Sequence, residues 1–452
     1  MWPYLLNLIY LALAIAALPW LAYQAVAKGK YREGFAEKLL GLLPQRHDDR
    51  PCIWLHAVSV GEVNLLAPLL AEIEQRLPGW ECVISTTTMT GFALARKKYA
   101  GRLVCYAPLD FSWAVRAAVR RIRPDVLVLA ELELWPNLLR AARASGTAVA
   151  IVNGRLSERS FRGYRRLGSL MSGLLDNIDL IAAQNEEYAQ RFLALGAAPT
   201  RVRVTGSIKF DGAETNRDNP ATRRLTRLAG FTTEDIVFLA GSTQEGEEAA
   251  AMAAFRALAD RHPRLKLVLV PRHPDRFAAV ARLLDESGVK WQRRSELGEG
   301  PADRVPRVLL VDAVGELGAW WGAAQIAYVG GSLGTRGGQN MIEPAAYGAA
   351  VSFGPNTRNF RDIVASLLEA EAAVVVQDEA ELTRFVERCL EQPAYVRQLG
   401  QRSHDLVLRN QGATRRTVDL LMPLAEPPTT LAGPFTLRRP LVIQEDGRAL
   451  GC

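Results

Sequence analysis

The sequence has few cysteines and sets none of them in a CxxC spacing. Cys52, Cys82 and Cys105 lie inside apolar runs, where cysteine acts as a small hydrophobe, and Cys389 and Cys452 stand alone. This excludes a disulfide frame and a zinc site, and it implies reduced thiols in a cytoplasmic protein. No GxxxxGK[ST] or HExxH occurs, and the glycines of VGGSLGTRGGQN (329–340) miss the GxGxxG spacing. A hydride-transfer cofactor is therefore disfavoured. There is no DxD pair either, and the first 27 residues hold no charged side chain.

What is present suits a folded chain of several domains. Its 452 residues exceed one ordinary core, and 49% are hydrophobic against 23% charged. The net charge of +7 favours acidic partners, either nucleic acid or an anionic membrane face. No basic and aromatic interleaving supports nucleic acid, so none is expected as a partner. The uncharged stretch at residues 1–27 is long enough for a bilayer-crossing helix. Lys28, Lys30 and Arg32 follow it, which predicts a single-pass N-terminal anchor with the remaining chain in the cytoplasm. A cleaved signal peptide ending near AVA is the competing reading, although no Lys or Arg precedes the apolar run.

Beyond residue 28, short apolar runs alternate with helical patterns. CIWLHAV, CVISTTT, RLVCYAP, VLVLAEL, AVAIVNG, LIAAQN and VRVTG predict strands, and EVNLLAPLLAEIEQRL repeats its leucines at helical spacing. The polar stretch around KFDGAETNRDNPATRR interrupts the alternation, which restarts with IVFLAGST, LKLVLVPR, RVLLVDAV, IAYVGGS, AAVSFG and AAVVVQ. The expected fold class is α/β: two doubly wound, Rossmann-like domains facing a cleft, behind an N-terminal anchor helix. The expected boundaries are an anchor at 1–27, a first domain at 28–212, a linker at 213–224, a second domain at 225–421 whose C-terminal helix packs back, and an irregular tail at 422–452.

Polar residues at strand ends are the site candidates. Glu62 in WLHAVSVGEVN falls in the first turn of a helix following a strand, where the helix macrodipole alone explains an acid. Gly61 permits close approach of another molecule, which favours a functional role. AELELWPN places Glu131 and Glu133 at the same sheet edge, beside a Trp able to pack on a sugar or lipid face. The alternative is that Pro136 simply opens a helix and the acids face solvent. Lys209 adds a positive charge near that mouth or is plain surface. In the second half, Arg272 follows a strand, and its planar fork suits phosphate. The AGSTQEGEE turn offers helix amides to an anion. Asn340 and Glu343, three apart, fit either a capping arrangement or a Glu343 that accepts ribose hydroxyls. Convergence of Arg272, the GST turn and Glu343 on one nucleotide favours the ribose reading. Without a DxD pair, basic side chains and helix amides would manage a leaving phosphate, so neither a metal nor a cofactor is expected.

LHAVSVGE, AELELWPN, NGRLSERS, AAQNEE, TGSIKFD, GSTQEGEE, LVPRHPDRF, VGEL, VGGSL and GGQNMIEPAAYG resemble, in this order, the motifs of the 3-deoxy-D-manno-oct-2-ulosonic acid (Kdo) transferases of lipopolysaccharide assembly. The match runs from about residue 31 to 421. The resemblance implies a metal-independent, inverting GT-B glycosyltransferase of the inner membrane, moving Kdo from CMP-Kdo to a lipid A precursor. It implies Glu62 as the catalytic base, with Glu131 and Lys209 steadying the transition state. It assigns CMP to Pro271 and Arg272, to Val314, Gly315 and Glu316, and to Asn340, Met341, Ile342 and Glu343. Ala130 stands where Met is common, Gln244 where His is common, and the tail past Leu421 is longer, which leaves fine donor and acceptor preference open. A transferase using a UDP-sugar on a lipid acceptor and a non-catalytic, membrane-anchored nucleotide sensor are the competing functions.

Overall fold

Each short apolar run of the first half becomes a parallel strand. The computed structural model describes residues 2–28, 33–298 and 306–425. The strands are β1 Cys52–His56, β2 Glu81–Thr86, β3 Val104–Tyr106, β4 Val126–Ala130, β5 Ala148–Gly154, β6 Leu180–Ala183 and β7 Val202–Val204. They form one sheet in the order β3-β2-β1-β4-β5-β6-β7. Alternate side chains enter opposite layers: Trp54, Val83, Leu127 and Ile151 pack on one face. Ile53, Leu55, Ile84, Val128 and Val152 pack on the other. A sheet covered on both faces needs such continuous apolar runs, and each fully buried Leu or Val contributes about 1.5–3 kcal/mol.

The second half repeats the design. Its strands are β8 Ile236–Thr243, β9 Leu265–Pro271, β10 Trp291–Arg293, β11 Val308–Leu310, β12 Ile326–Val329, β13 Ala350–Phe353 and β14 Ala373–Val375, ordered β10-β11-β9-β8-β12-β13-β14. The sequence reading misses β10. It is three half-buried residues at the sheet edge, with no apolar run to betray it.

The chain divides into two compact units, one reaching Asp211 and resuming at Gln411, the other Gly212–Asn410. The stretch 213–224 is not all linker. Asn219 accepts the Thr222 amide at 2.9 Å and Pro220 opens the helix Pro220–Leu228, whose apolar anchors Leu225 and Leu228 lie beyond or at the edge of the polar segment. The helix Ala413–Ala425 buries Val418 and Leu421 in the core layer formed by the helix Val60–Arg76. It therefore runs past 422 before the described residues end, and the rest of the expected tail lies outside them.

The membrane anchor requires correction. The apolar N-terminal run is one helix, Trp2–Lys28, but among the described residues no helix is long and apolar enough to cross a membrane. Asn7 and Tyr10 interrupt its apolar character and are tied to the first unit. Asn7 donates to Ser112 Oγ at 2.8 Å and accepts the Ser112 amide at 2.9 Å, and the Tyr10 hydroxyl donates to Asp110 Oδ2 at 3.0 Å. Polar groups committed in this way hold the helix against protein. Cys52, Cys82, Cys105 and Cys389 are buried free thiols, and burial pushes Cys52 up to about 12, which leaves it inert as a nucleophile.

Candidate active site

In an open parallel sheet, ligands gather outside the carboxyl ends of the strands where the strand order reverses. In the first sheet that point lies between β1 and β4, paired with His56 opposite Leu129. Glu62 follows β1, and Glu131 and Glu133 follow β4, so the topology brings all three acids to the reversal.

Glu62 is held by its own turn. Ser59 caps the helix Val60–Arg76 and donates its hydroxyl to Glu62 Oε1 at 2.7 Å, while the Val58 amide donates to Oε2 at 2.8 Å. This is a capping arrangement, so the macrodipole explanation is satisfied. A carboxylate has about four lone-pair sites, however, and only two are taken here. Burial raises the Glu62 carboxyl above its ordinary value of 4.5, against the two hydrogen bonds, with the Glu131 charge adding to the rise. The turn thus fixes a carboxylate of raised basicity without exhausting it.

Glu131 has φ 60°, in the left-handed region that a residue with a side chain seldom adopts. Such a conformation costs about 1–3 kcal/mol and turns the side chain out of the strand direction. Lys209 reaches it from the turn after β7, with Nζ donating to Glu131 Oε1 at 2.8 Å. Among the described residues, no cation pairs with Glu133. It accepts the Trp135 indole N–H at 2.8 Å, and burial, followed by the nearby Glu62 and Glu131 charges, pushes its carboxyl up to about 7. Pro136 does open a helix, Pro136–Ala144, but Glu131 and Glu133 are half-buried rather than solvated. Behind them, His56 is buried against Ser85 Oγ at 2.9 Å, and burial lowers it to about 4, so it stays neutral. Among the described residues, no group of three or more His, Cys, Asp or Glu is placed to hold a metal ion.

The second sheet reverses between β8 and β12. Pro271 ends β9 and is buried, and Arg272 emerges with its backbone amide on Thr243 of the GST turn at 3.0 Å. Its guanidinium Nε donates to Gln339 Oε1 at 3.3 Å, which joins the PR, GST and GGQN segments at one sheet edge. Val314 and Gly315 are exposed, with Gly315 at φ 91°. Glu316 is committed: Arg294 clasps it through two bonds at 2.9 and 2.8 Å, and the Trp320 indole adds a third at 3.3 Å. Met341 and Ile342 are buried. Asn340 donates its side-chain amide to Glu343 at 3.0 Å and accepts the Ile342 amide at 3.1 Å, so the two residues are locked locally. Burial raises the Glu343 carboxyl, opposed by its bonds to Asn340 and Trp321.

One residue escaped the sequence reading. Glu247, 2% exposed, accepts the amides of Gly331, Ser332 and Leu333 at 2.7, 2.9 and 3.0 Å, the Gln244 amide at 2.8 Å and the Tyr328 hydroxyl at 2.9 Å. The Gln244 amide of the GSTQEGEE turn, read as free for an anion, is thus occupied by the protein's own carboxylate. The available signal was the VGGS run: Gly330 leaves no room for a Cβ, which would meet Ser242 O and Glu247 Oε2 at 2.6 and 2.8 Å.

Acids and a lysine at the reversal point of one seven-stranded parallel sheet, and arginine and glycine turns at that of the other, define a doubly wound α/β architecture of two units. The UDP-GlcNAc 2-epimerase of Neisseria meningitidis shares the fold over 82% of this chain and 100% of its own, at 14% identity and a TM-score of 0.54. Residues 32–212 match the family model described as 3-deoxy-D-manno-octulosonic-acid transferase (kdotransferase). The 3-deoxy-D-manno-octulosonic acid transferase of Haemophilus influenzae is 32% identical over 94% of this chain and 99% of its own. That of Bordetella pertussis is 36% identical over 82% and 86%. The chain belongs to the 3-deoxy-D-manno-octulosonic acid transferase family, and it is a glycosyltransferase.

Proposed function

We propose that the protein transfers Kdo from CMP-Kdo to a lipid A precursor in lipopolysaccharide biosynthesis, with inversion and without a metal. Family membership supports Kdo as the transferred sugar, and the motif resemblance supports CMP as its carrier and a lipid A precursor as the acceptor. The acids at the first reversal point support the chemistry. Glu62 takes the proton of an acceptor hydroxyl as its oxygen attacks the anomeric carbon of Kdo, and CMP leaves from the opposite face. The Lys209 ammonium, held by Glu131, offsets negative charge that develops at the reacting centre. On the second sheet, Pro271, Arg272, Val314 to Glu316 and Asn340 to Glu343 form the CMP side. There Arg272 takes the phosphate, Val314 and Gly315 lie open to the ligand, and Glu316 braces its turn through Arg294. The acceptor is an amphiphile, so the reaction belongs at the cytoplasmic face of the inner membrane.

Purified protein given CMP-Kdo and a tetraacyl lipid A precursor tests this, with products counted by mass. Addition of Kdo is expected. Turnover with a UDP-sugar instead, or tight CMP binding with no product, would replace the proposal by one of its two competitors. Arg272→Ala is expected to raise the donor KM at least tenfold with the acceptor KM unchanged. A donor KM within twofold of the parent would remove Arg272 from the CMP side.

The pH profile supplies a further check. Glu62 acts as a base only when ionised, and its carboxyl lies above 4.5, so turnover should fall as pH drops through a value higher than an ordinary glutamate's. An acid limb at or below 4.5 would contradict the role.

A further inference from the structure

The segment between β4 and the helix Pro136–Ala144 bends, with Glu131 at φ 60°. Leu132 and Leu134 pack against the core. Glu131, Glu133 and Trp135 follow β4 at its carboxyl end, the charges of Glu62 and Glu131 bear on Glu133, and Trp135 is bonded to it. Their commitments differ. Glu62 is engaged by its own turn and Glu131 by Lys209, but among the described residues Glu133 is bonded through Oε2 alone, to the Trp135 indole.

Trp135 is 37% exposed although its polar N–H is already satisfied inside the protein. An indole in that state presents a flat apolar face and nothing else to a visitor. The same ring lines a small cavity with Trp54, His56, Leu109 and Leu138. Neither side chain serves the helix start: Trp135 occupies the N-cap position without any side-chain capping bond. A fixed aromatic face beside a carboxylate oxygen matches the two surfaces of a sugar ring, one of C–H groups and one of hydroxyl donors.

We propose that Glu133 and Trp135 form the acceptor-sugar subsite, in which the indole packs on an aminosugar ring of the lipid acceptor and the free oxygen of Glu133 accepts a ring hydroxyl. This rests on the lipid-acceptor reading above and deepens it. The subsite sets the nucleophilic hydroxyl toward Glu62, and it gives the second oxygen of Glu133 a hydrogen-bond donor besides the Trp135 indole.

The test reads binding without chemistry, so that it stands apart from the transfer assay. Full-length protein is titrated calorimetrically with a phosphorylated, lipid-free glucosamine disaccharide in the absence of donor, and separately with CMP. Trp135→Ala should weaken disaccharide binding at least tenfold, Trp135→Phe two- to threefold because the ring survives, and Glu133→Gln three- to tenfold. CMP affinity should stay within twofold in all three. The Glu133→Ala/Trp135→Ala pair should lose less than the product of the single losses, since the residues act together. Disaccharide binding that is absent in the parent, or equal in the parent and Trp135→Phe and Glu133→Gln, overturns the subsite. A matching fall in CMP affinity also overturns it, by marking a general disturbance. Kdo transfer by the parent in the separate assay decides the underlying reading independently.

Discussion

Glu62→Gln is expected to lower Kdo transfer by about 10²–10⁴-fold, the usual contribution of a positioned general base. Glutamine is the informative replacement. Its amide oxygen can still accept a bond within the Ser59 turn, and Gln serves in capping boxes as Glu does, so the start of the helix Val60–Arg76 should persist. What Gln cannot do is take a proton. Glu62→Ala removes the bonds from Val58 and Ser59 as well, and should cost about 0.5–2 kcal/mol of stability in addition. A purely structural Glu62 predicts the reverse ordering, with Gln active and Ala impaired. CMP affinity and the thermal midpoint of Glu62→Gln are the controls, and both should match the parent. Transfer by Glu62→Gln at close to the parent rate would end the assignment of the base.

The sheets were legible because parallel strands buried on both faces must be continuous apolar runs. IWLH, VLVLA and LKLVLV can be little else. The edge strand Trp291–Arg293 was not legible, since an edge makes no such demand. The helix at Pro220 hid inside a polar stretch because its buried leucines begin only at Leu225. The apolar N-terminus misled for a physical reason: hydropathy registers the length of the run but not the partners of Asn7 and Tyr10, which lie 105 and 100 residues away in the chain.

The site divides in the same way. Residues that follow strands, such as Glu62, Glu131, Lys209 and Arg272, can be placed at sheet edges from the pattern alone. Their commitments cannot. The resemblance assigns Glu316 to CMP, yet Arg294, 22 residues away in the chain, clasps it, and Asn340 and Glu343 are bonded to each other through their side chains. Glu133 illustrates the converse. Its significance comes from two other carboxylates standing near it, with no cation paired to it among the described residues, which is a property of three-dimensional neighbours.

Glu247→Ala is expected to destabilise the second unit by about 3–5 kcal/mol, the range for stripping one partner from a buried charged network. Glu247 has no cation among its bonded partners; four backbone amides and a tyrosine hydroxyl carry its charge, at the first residue of the helix Glu247–Ala259, where the macrodipole favours an anion. Deleting the carboxylate leaves those amides without an acceptor in a region too crowded for even a Cβ on Gly330. Glu247→Gln should also be costly, because its NH₂ group would face donors that need an acceptor. The loop so released leads to Gln339, the partner of Arg272, so donor affinity should fall together with stability. Urea unfolding monitored with and without CMP reads both effects. A Glu247→Ala midpoint indistinguishable from the parent would mean that the 330–333 loop holds its shape without the carboxylate, and that its glycines alone set the turn.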